Sequence, residues 1–157
     1  MKKTDEKTNV MRILDRAKVD YSVHSYVGSG AISGVEVAEA LDENPAQVFK
    51  TLVTTGASKT HYVFLVPVAR ELNLKTCAGV VGEKSIEMLK MKDLLPLTGY
   101  IHGGCSPIGM KKQFKTIIDV SAQDFDTIIM SAGKIGYQIE LSLGNLAKVI
   151  DFELAKL

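Results

Sequence analysis

Hydrophobic and polar residues alternate along the chain with two different periods, which indicate where helices and strands lie. Apolar residues recur at helical spacing over residues 8–19, which predicts an amphipathic helix. The segment YSVHSY (21–26) alternates residue by residue and predicts a short strand. The Gly- and Ser-rich segment 27–34 then predicts a loop, and the sequence VEVAEAL after it predicts a helix.

Strand-like composition dominates the middle of the chain. Residues 48–55 and 61–68, joined by a Gly-Ala-Ser-Lys turn, predict a hairpin with a buried second strand. The preceding Asn44-Pro45-Ala46-Gln47 is typical of a helix start, with Asn as N-cap and Pro in the first turn. A helical region is predicted through CAGVVG (77–82) and SIEMLKMKDLL (85–95). Residues 98–109 predict a strand that runs into a Gly/Pro loop.

The last third of the chain predicts three more strands and a closing helix. The strands are expected at residues 114–120, 126–133 and 137–142, and helical periodicity returns from Ser142 onward. Strands and helices mix without a strict βαβ alternation. We therefore expect one domain over residues 1–157, of the α+β class, with a mixed sheet.

Composition excludes several classes of protein. The 157 residues are 46% hydrophobic and 24% charged, and 19 basic against 18 acidic residues leave a net charge of +1, so a strongly basic nucleic-acid coat is excluded. No apolar run approaches the ~18 residues of a membrane span, and the charged start lacks the apolar core of a signal peptide. We therefore expect a cytoplasmic protein. Two cysteines and three scattered histidines predict neither a disulfide scaffold nor a metal site, and no dinucleotide- or NTP-binding glycine motif is present.

Lys50 is the most informative single residue. In a strand it shares one face with Val48 and Leu52, where an ammonium group must reach solvent, pair with an acid or line a cleft. One interpretation is an ordinary lysine whose aliphatic stem packs on the sheet. The other is a cation placed over a pocket, ready for an anionic or carbonyl ligand.

Two glycine-rich loops are further candidates. In GGCSPIG (103–109) successive backbone N–H groups can hold a phosphate oxygen or a developing oxyanion, although a tight connection between strands explains the same residues. SAGKIG (131–136) fits a simple hairpin. Cys105 lies near His102 and raises the hypothesis of a thiol nucleophile, but a lone cysteine is more often a packing residue.

Several of these motifs together resemble a known family. VFKTLV, VPVARELNLKTCAGVVG, GGCSPIG, TIIDV and SAGKIGYQIELSLGNLAKVID, in this order, resemble the YbaK/EbsC family over about residues 8–152. These proteins are free-standing relatives of the editing domain of prolyl-tRNA synthetase, and the Cys-tRNA(Pro) deacylase branch is the most similar. The resemblance implies a mixed, mostly antiparallel sheet partly curled into a barrel and flanked by helices. It implies an active cleft on the sheet and neither metal nor cofactor.

The resemblance also implies site residues. It makes Lys50 the essential lysine and places Thr51 beside it in the substrate site. The other substrate-binding positions that match the family are Tyr26, Gly103, Gly104, Ser106, Pro107, Gly109, Ser131 and Gly133. Two positions depart from the family: Ser33 stands where Phe is common, and Gln138 stands where Asp is common, so both bear on amino-acid specificity.

The implied function is trans-editing of mischarged Cys-tRNA(Pro), in which the cysteinyl thiol attacks its own ester and leaves as a thiolactone. Such an enzyme is a hydrolase, or a lyase if it forms the thiolactone. Its implied partners are the CCA end of tRNA and prolyl-tRNA synthetase, and neither DNA nor a membrane. The alternatives are an alanine-specific or broader deacylase, and a non-catalytic RNA- or protein-binding regulatory domain. Lys50 on an apolar strand face argues against the non-catalytic alternative.

Overall fold

The computed structural model of the protein describes residues 7–157. The helices are α1 (Asn9–Arg16), α2 (Gly34–Ala40), α3 (Leu74–Val81), α4 (Met91–Thr98) and α5 (Leu143–Leu146), with a 3₁₀ turn at Val120–Asp124. The strands are β1 (Ser22–Ser25), β2 (Phe49–Gly56), β3 (His61–Pro67), β4 (Ile86–Met88), β5 (Lys115–Asp119), β6 (Ile128–Ser131), β7 (Tyr137–Leu141) and β8 (Glu153–Ala155).

The strands form two sheets. A five-stranded sheet has the order β4-β2-β3-β5-β8, and a three-stranded sheet has the order β1-β7-β6. The β3–β5 and β5–β8 pairs are parallel and the other four pairs are antiparallel. The predicted α+β class with a mixed, mostly antiparallel arrangement is therefore confirmed. The curling into a barrel is not confirmed, because the described strands form two open sheets that do not close.

The core lies mainly between the two sheets. Phe49 and Val53 of β2 and Met130 and Ile139 of the smaller sheet belong to one buried cluster, which also takes in the apolar face of α1. A second cluster fills the space between the opposite face of the large sheet and α3. Burial of these apolar side chains is the main stabilising contribution to the fold.

Four segments differ from the sequence-based expectation. Residues 44–47 form a turn rather than a helix start: the Asn44 side chain accepts from the Ala46 N–H, and the Gln47 carbonyl accepts from Ile129. The expected helix over 85–95 begins instead with strand β4, which pairs with the end of β2. The strand expected from Thr98 is absent, because Gly99 adopts φ +89° and ends α4 there.

The fourth difference lies at the end of the chain. Only Leu143–Leu146 of the expected closing helix is α-helical, and Glu153–Ala155 forms β8 beside β5. Pairing with β5 makes this segment extended. The sequence did not predict it, because three residues are too few to show the alternation of a strand. Among residues 7–157, no helix is both long enough and apolar enough to cross a membrane.

Candidate functional site

A cavity of about 540 Å³ opens at the junction of the two sheets. Its walls come from six parts of the chain. They are the loop and helix around residues 26–37, the β2 segment from Val48 to Val53, Val68 after β3, the segment from Met88 to Leu94, the loop around Gly103, and Ser131 and Gln138 of the small sheet. This size is typical of a small-molecule site.

The cavity exists because β2 has a gap along one edge. The Gln47 carbonyl accepts from the N–H of Ile129 in β6, and the Val53 carbonyl accepts from Leu89, just after β4. Phe49 and Thr51 lie between these two contacts. Alternation of backbone groups along a strand turns their N–H and C=O toward the same edge. There the isolated parallel bridge between Val48 and Ile129 uses the Phe49 N–H, but no named strand pairs with the Phe49 C=O or with Thr51. The gap therefore offers unpaired backbone donors and acceptors to a ligand.

Lys50 lies in this strand segment and lines the cavity. It is half-buried opposite Val66 of β3, and no residue in the range 7–157 makes a hydrogen bond or ion pair with its side chain. Burial lowers the pKa of its ammonium group, and the more distant Glu71 carboxylate partly opposes that effect. A partly desolvated cation without a fixed partner is well placed to bind an anionic or strongly polar group.

Thr51 contributes a second polar group. Its side-chain oxygen is buried, and it has no hydrogen-bond partner within the described part of the chain. Buried hydroxyls are normally hydrogen-bonded, so an unpartnered one at a cavity wall favours a role in ligand binding.

The outer wall is apolar, which sequence reasoning missed. Ile32, Val35, Met88 and Met91 line the cavity although their side chains are exposed, Ile32 to 85% and Met91 to 68%. Exposed apolar side chains grouped at a cavity mouth are typical of a ligand-binding surface. Their spacing gave no signal, because the fold brings residues from two distant segments together.

The Gly/Pro loop meets the cavity at one end only. Gly103 and Cys105 line it, and Gly103 requires glycine because its φ is +89°. The N–H of Gly104 donates to the Ile101 carbonyl and is therefore occupied. Ser106 is fully buried, and its side chain accepts from the Ile108 N–H.

Five of the sequence-predicted site residues lie outside the cavity lining: Gly104, Ser106, Pro107, Gly109 and Gly133. Gly109 has φ +80°, and a Cβ atom built there would lie 2.8 Å from the Tyr100 hydroxyl oxygen. Gly133 has φ +89°, and its Cβ would lie 3.0 Å from the Tyr100 ring. Gly103 and Cys105 therefore line the cavity, whereas Gly109 and Gly133 allow the surrounding loops to pack closely against Tyr100.

Four other sequence-predicted residues do line the cavity: Tyr26, Ser33, Ser131 and Gln138. The Ser33 hydroxyl caps α2 by accepting from the Glu36 N–H, and the Glu36 carboxylate accepts in return from the Ser33 N–H. Ser131 accepts from the Gly133 N–H and lies directly opposite Gln138 in the β6–β7 pair. These hydrogen bonds fix Ser33 and Ser131 at the cavity wall.

Cys105 and His102 both line the cavity, but their placement does not favour a thiol nucleophile. The Cys105 side chain is only 8% exposed, and burial raises the pKa of its thiol to about 12. The thiol is therefore protonated at neutral pH, whereas a nucleophilic cysteine acts as a thiolate. Among the described residues, no three His, Cys, Asp or Glu side chains are grouped to hold a metal ion.

Comparison with known proteins shows which family the chain resembles. A model of the aminoacyl-tRNA editing domain matches residues 30–149. A protein of Enterococcus faecalis, provisionally named Cys-tRNA(Pro)/Cys-tRNA(Cys) deacylase EbsC, is 49% identical over 142 residues, which cover 90% of this chain and 87% of that protein.

Solved structures share the fold at lower identity. One is a crystal structure described provisionally as a trans-editing enzyme for prolyl tRNA synthetase, with a TM-score of 0.81, 20% identity, and coverage of 97% of this chain and 98% of the other. The hypothetical protein APE2540 also has a TM-score of 0.81, at 16% identity, covering 93% and 98% of the two chains. The resemblance seen in the sequence motifs is thereby confirmed. Since the domain model spans most of the chain and the Enterococcus protein is similar along nearly all of it, this protein belongs to the aminoacyl-tRNA editing domain family.

Proposed function

We propose that the protein is a trans-editing deacylase that removes cysteine from mischarged Cys-tRNA(Pro) in the cytoplasm. The observation that carries the proposal is Lys50, a half-buried ammonium group without an ion-pair partner among residues 7–157, at the wall of a cavity in an editing-domain fold. The Enterococcus relative named for this reaction supports the choice of substrate.

The cavity suits an ester that needs little activation. An aminoacyl ester is already reactive, and the cavity is lined by one lysine, polar side chains and apolar residues. Holding the reacting groups in the right orientation contributes several kcal/mol to such a reaction. Positioning and electrostatics therefore account for the chemistry that we propose.

We assign the thiol of the substrate as the nucleophile. The thiol loses its proton as its sulfur forms a bond to the carbonyl carbon of the same cysteinyl group. The bond from that carbon to the tRNA 3′-oxygen breaks, and the oxygen takes up one proton. The products are cysteine thiolactone and uncharged tRNA, so atoms and charge balance. Lys50 binds the terminal nucleotide or the ester region through its charge.

The Gly103 end of the loop stabilises the carbonyl oxygen as negative charge develops on it. The N–H groups of Gly103 and Cys105 are the candidates, because Gly104 already donates to Ile101. Preorganised backbone donors of this kind lower the barrier of acyl transfer. Tyr26 and Ser131 shape the pocket around the aminoacyl group.

Recognition of tRNA(Pro) requires a partner in this proposal. The net charge of +1 predicts weak, salt-sensitive binding to the phosphate backbone, since few phosphates can be neutralised. The cavity suits the single-stranded CCA end, which is held by stacking and 2′-hydroxyl contacts. Prolyl-tRNA synthetase is the partner that we propose for selecting the tRNA.

An alanine-specific or broader deacylase is the second candidate, supported by the cavity size. About 540 Å³ exceeds what one small side chain fills, and Ser33 leaves the wall beside α2 small. A small apolar difference in a pocket is worth only about 1–3 kcal/mol of discrimination. Substrate preference is therefore a quantity to measure directly.

The test is a deacylation assay with Cys-, Ala- and Pro-tRNA(Pro), using wild type, Lys50→Ala and, as a matched control, the exposed Lys75→Ala on α3. We expect wild type and Lys75→Ala to release cysteine and to spare Pro-tRNA(Pro), while Lys50→Ala is inactive. Preferential release of alanine would favour the second candidate. Equal activity of both variants, or no cleavage with prolyl-tRNA synthetase present, would contradict the role of Lys50 or the enzyme assignment.

A thiol-free substrate tests the nucleophile. With 2-aminobutyryl-tRNA(Pro) a methyl group replaces the thiol at nearly the same size, so binding is preserved and the nucleophile is lost. We expect no cleavage of this ester. Cleavage at the rate of Cys-tRNA(Pro) would show that water, rather than the substrate thiol, attacks the carbonyl.

A further inference from the structure

Three buried side-chain oxygen atoms on two interacting residues make no hydrogen bond of standard geometry in the described part of the chain. They are both carboxylate oxygens of Glu43 and the side-chain oxygen of Gln138. Leaving such an acceptor unsatisfied costs about 1–3 kcal/mol, and more for a charged group. Orphaned acceptors beside a binding cavity therefore favour a ligand that carries N–H donors.

Gln138 connects this cluster to the cavity. It is 5% exposed, lines the cavity, and lies in the central strand β7 between His24 of β1 and Ser131 of β6. A carboxylate only accepts hydrogen bonds, so Glu43 interacts with the NH₂ group of the Gln138 amide. The Gln138 oxygen is then left to accept from a ligand.

Glu43 enters from the end of α2, where its N–H donates to the Ala38 carbonyl. Burial raises the pKa of its carboxyl, the neighbouring Glu140 adds to this, and the Gln138 amide and His24 act in the opposite direction. Glu140 itself is hydrogen-bonded, to His24 at 2.7 Å and to Thr127 at 2.5 Å. Within residues 7–157, Glu43 is therefore the carboxylate of this group without a hydrogen bond of standard geometry, and the Gln138 amide is the neutral group that interacts with it.

The charged groups nearest Lys50 and nearest Gln138 differ in sign. Lys50 on β2 repels a cation, whereas the carboxylates of Glu43 and Glu140 near Gln138 attract one. An aminoacyl ester carries an ammonium group two bonds from the ester carbonyl carbon. Electrostatics therefore orients that ammonium group toward the small sheet and away from Lys50.

We propose that Gln138 and Glu43 form a subsite for the free α-ammonium group of the aminoacyl substrate. The Gln138 oxygen accepts a hydrogen bond from the ammonium group. Glu43 is a positioning residue that holds the Gln138 amide and supplies the negative charge. This inference rests on the proposed deacylase function and extends it: an N-acylated aminoacyl-tRNA is discriminated against.

The test compares Cys-tRNA(Pro) with N-acetyl-Cys-tRNA(Pro), which keeps the thiol and the ester but has no ammonium group. Wild type, Glu43→Gln, Gln138→Met and the control Glu39→Gln are assayed with both substrates. Glu39 is an exposed glutamate on α2, so its variant makes the same change in charge outside the site. Each rate is corrected for spontaneous hydrolysis, and variants are compared with wild type on the same substrate.

We expect wild type to favour the free amine by about 10- to 100-fold in kcat/KM, the range for a hydrogen bond to a charged group. Glu43→Gln and Gln138→Met lose this preference, mainly through a higher KM for Cys-tRNA(Pro), and cleave the acetylated substrate like wild type. Glu39→Gln keeps the preference. Gln138→Met decides the question if Glu43→Gln does not fold.

Two outcomes would overturn the inference while leaving the deacylase assignment intact. One is equal cleavage of both substrates by wild type. The other is an equal loss on both substrates in the variants, which indicates a purely structural role. If wild type cleaves neither ester, the proposed function fails, and the subsite fails with it.

Discussion

The hydroxyl group of Tyr100 donates a hydrogen bond to the backbone carbonyl of Ile108, at the far end of the Gly/Pro loop. Burial raises the pKa of Tyr100 to about 12, with a smaller contribution from Cys105, so the hydroxyl remains a donor at neutral pH. The Tyr100 side chain also packs against Gly109 and Gly133, where a Cβ atom would lie 2.8 Å from its hydroxyl oxygen and 3.0 Å from its ring, respectively. Tyr100 therefore connects the two glycine turns that border the cavity.

Gly133→Ala tests this packing. A Cβ atom at Gly133 would lie 2.9 Å from a Val10 methyl group and 3.0 Å from the Tyr100 ring, at φ +89°. We expect a loss of about 2–5 kcal/mol in the free energy of unfolding, from backbone strain plus overpacking. Gly28→Ala is the control, because φ is +82° there but no atom lies within 4 Å. Urea unfolding should show a loss of only about 1–2 kcal/mol for the control; equal losses would mean that the Tyr100 contact is unimportant.

Lys50→Met is expected to stabilise the fold while abolishing deacylation. Burial lowers the pKa of Lys50 below its usual 10.5, so the unfolded chain holds this proton to a higher pH than the folded chain does. The free energy of unfolding therefore rises as the pH passes from the folded pKa toward 10.5. Lys50→Met removes that pH dependence and increases the free energy of unfolding by about 0.5–2 kcal/mol at pH 7.

Urea unfolding of Lys50→Met at pH 7 and pH 10, beside the exposed control Lys75→Met, measures both effects. A variant less stable than wild type at pH 7 would show that the lysine stem, rather than its charge, dominates at this position.

The two cysteines are expected to be unreactive in the folded protein. Burial raises the pKa of Cys77 to about 11 and that of Cys105 to about 12. Iodoacetamide at pH 8 should label neither thiol until the chain is unfolded, as mass spectrometry can show. Cys105→Ala should keep its deacylase rate within about threefold, since no thiolate of the protein takes part. Rapid labelling of Cys105, together with loss of activity in the variant, would revive the thiol mechanism.

Acid stability should depend on Asp119. Burial tends to raise its pKa, but hydrogen bonds from Ser121 and the Leu157 N–H, together with Arg70, outweigh burial and lower the pKa below 3.8. The stabilisation is therefore present above pH 3.8 and is lost as the pH falls through the lower, folded pKa.

Asp119→Asn should lower the free energy of unfolding by about 1–3 kcal/mol at pH 7. The variant should then lose less stability than wild type when the pH falls below about 4. Thermal unfolding between pH 2 and pH 7 checks this, with the exposed Asp126→Asn as control. An unchanged acid profile would place the acid-sensitive group elsewhere.

The sequence predicts the long pairings better than the short ones. β2 and β3 are visible because seven or eight residues of strand-forming composition flank a turn, and their hairpin is confirmed. The strands β4 and β8 have three residues each, and only the strand beside them makes them extended. A local pattern contains no information about that neighbour.

The same limit applies to the site. Lys50 and Gln138 were predicted from motifs, and both line the cavity. Glu43 was missed because it follows a helix without any motif and interacts with Gln138 only in the folded chain, where Ala38 of α2 packs against Ile129 of β6. Ile32 and Met91 were missed because exposed apolar residues in loops are not distinctive until the fold places them at one opening.

The gap beside Phe49 and Thr51 sets a limit on engineering this protein. Extending β4 toward Met91, or lengthening β6, would satisfy the open backbone groups and make the sheet more regular. The same change would fill the space that we propose for the aminoacyl group. Variants selected only for heat resistance are therefore expected to lose turnover when their substitutions add strand pairing along this edge of β2. Thermostable forms that keep their activity have to gain stability elsewhere in the fold.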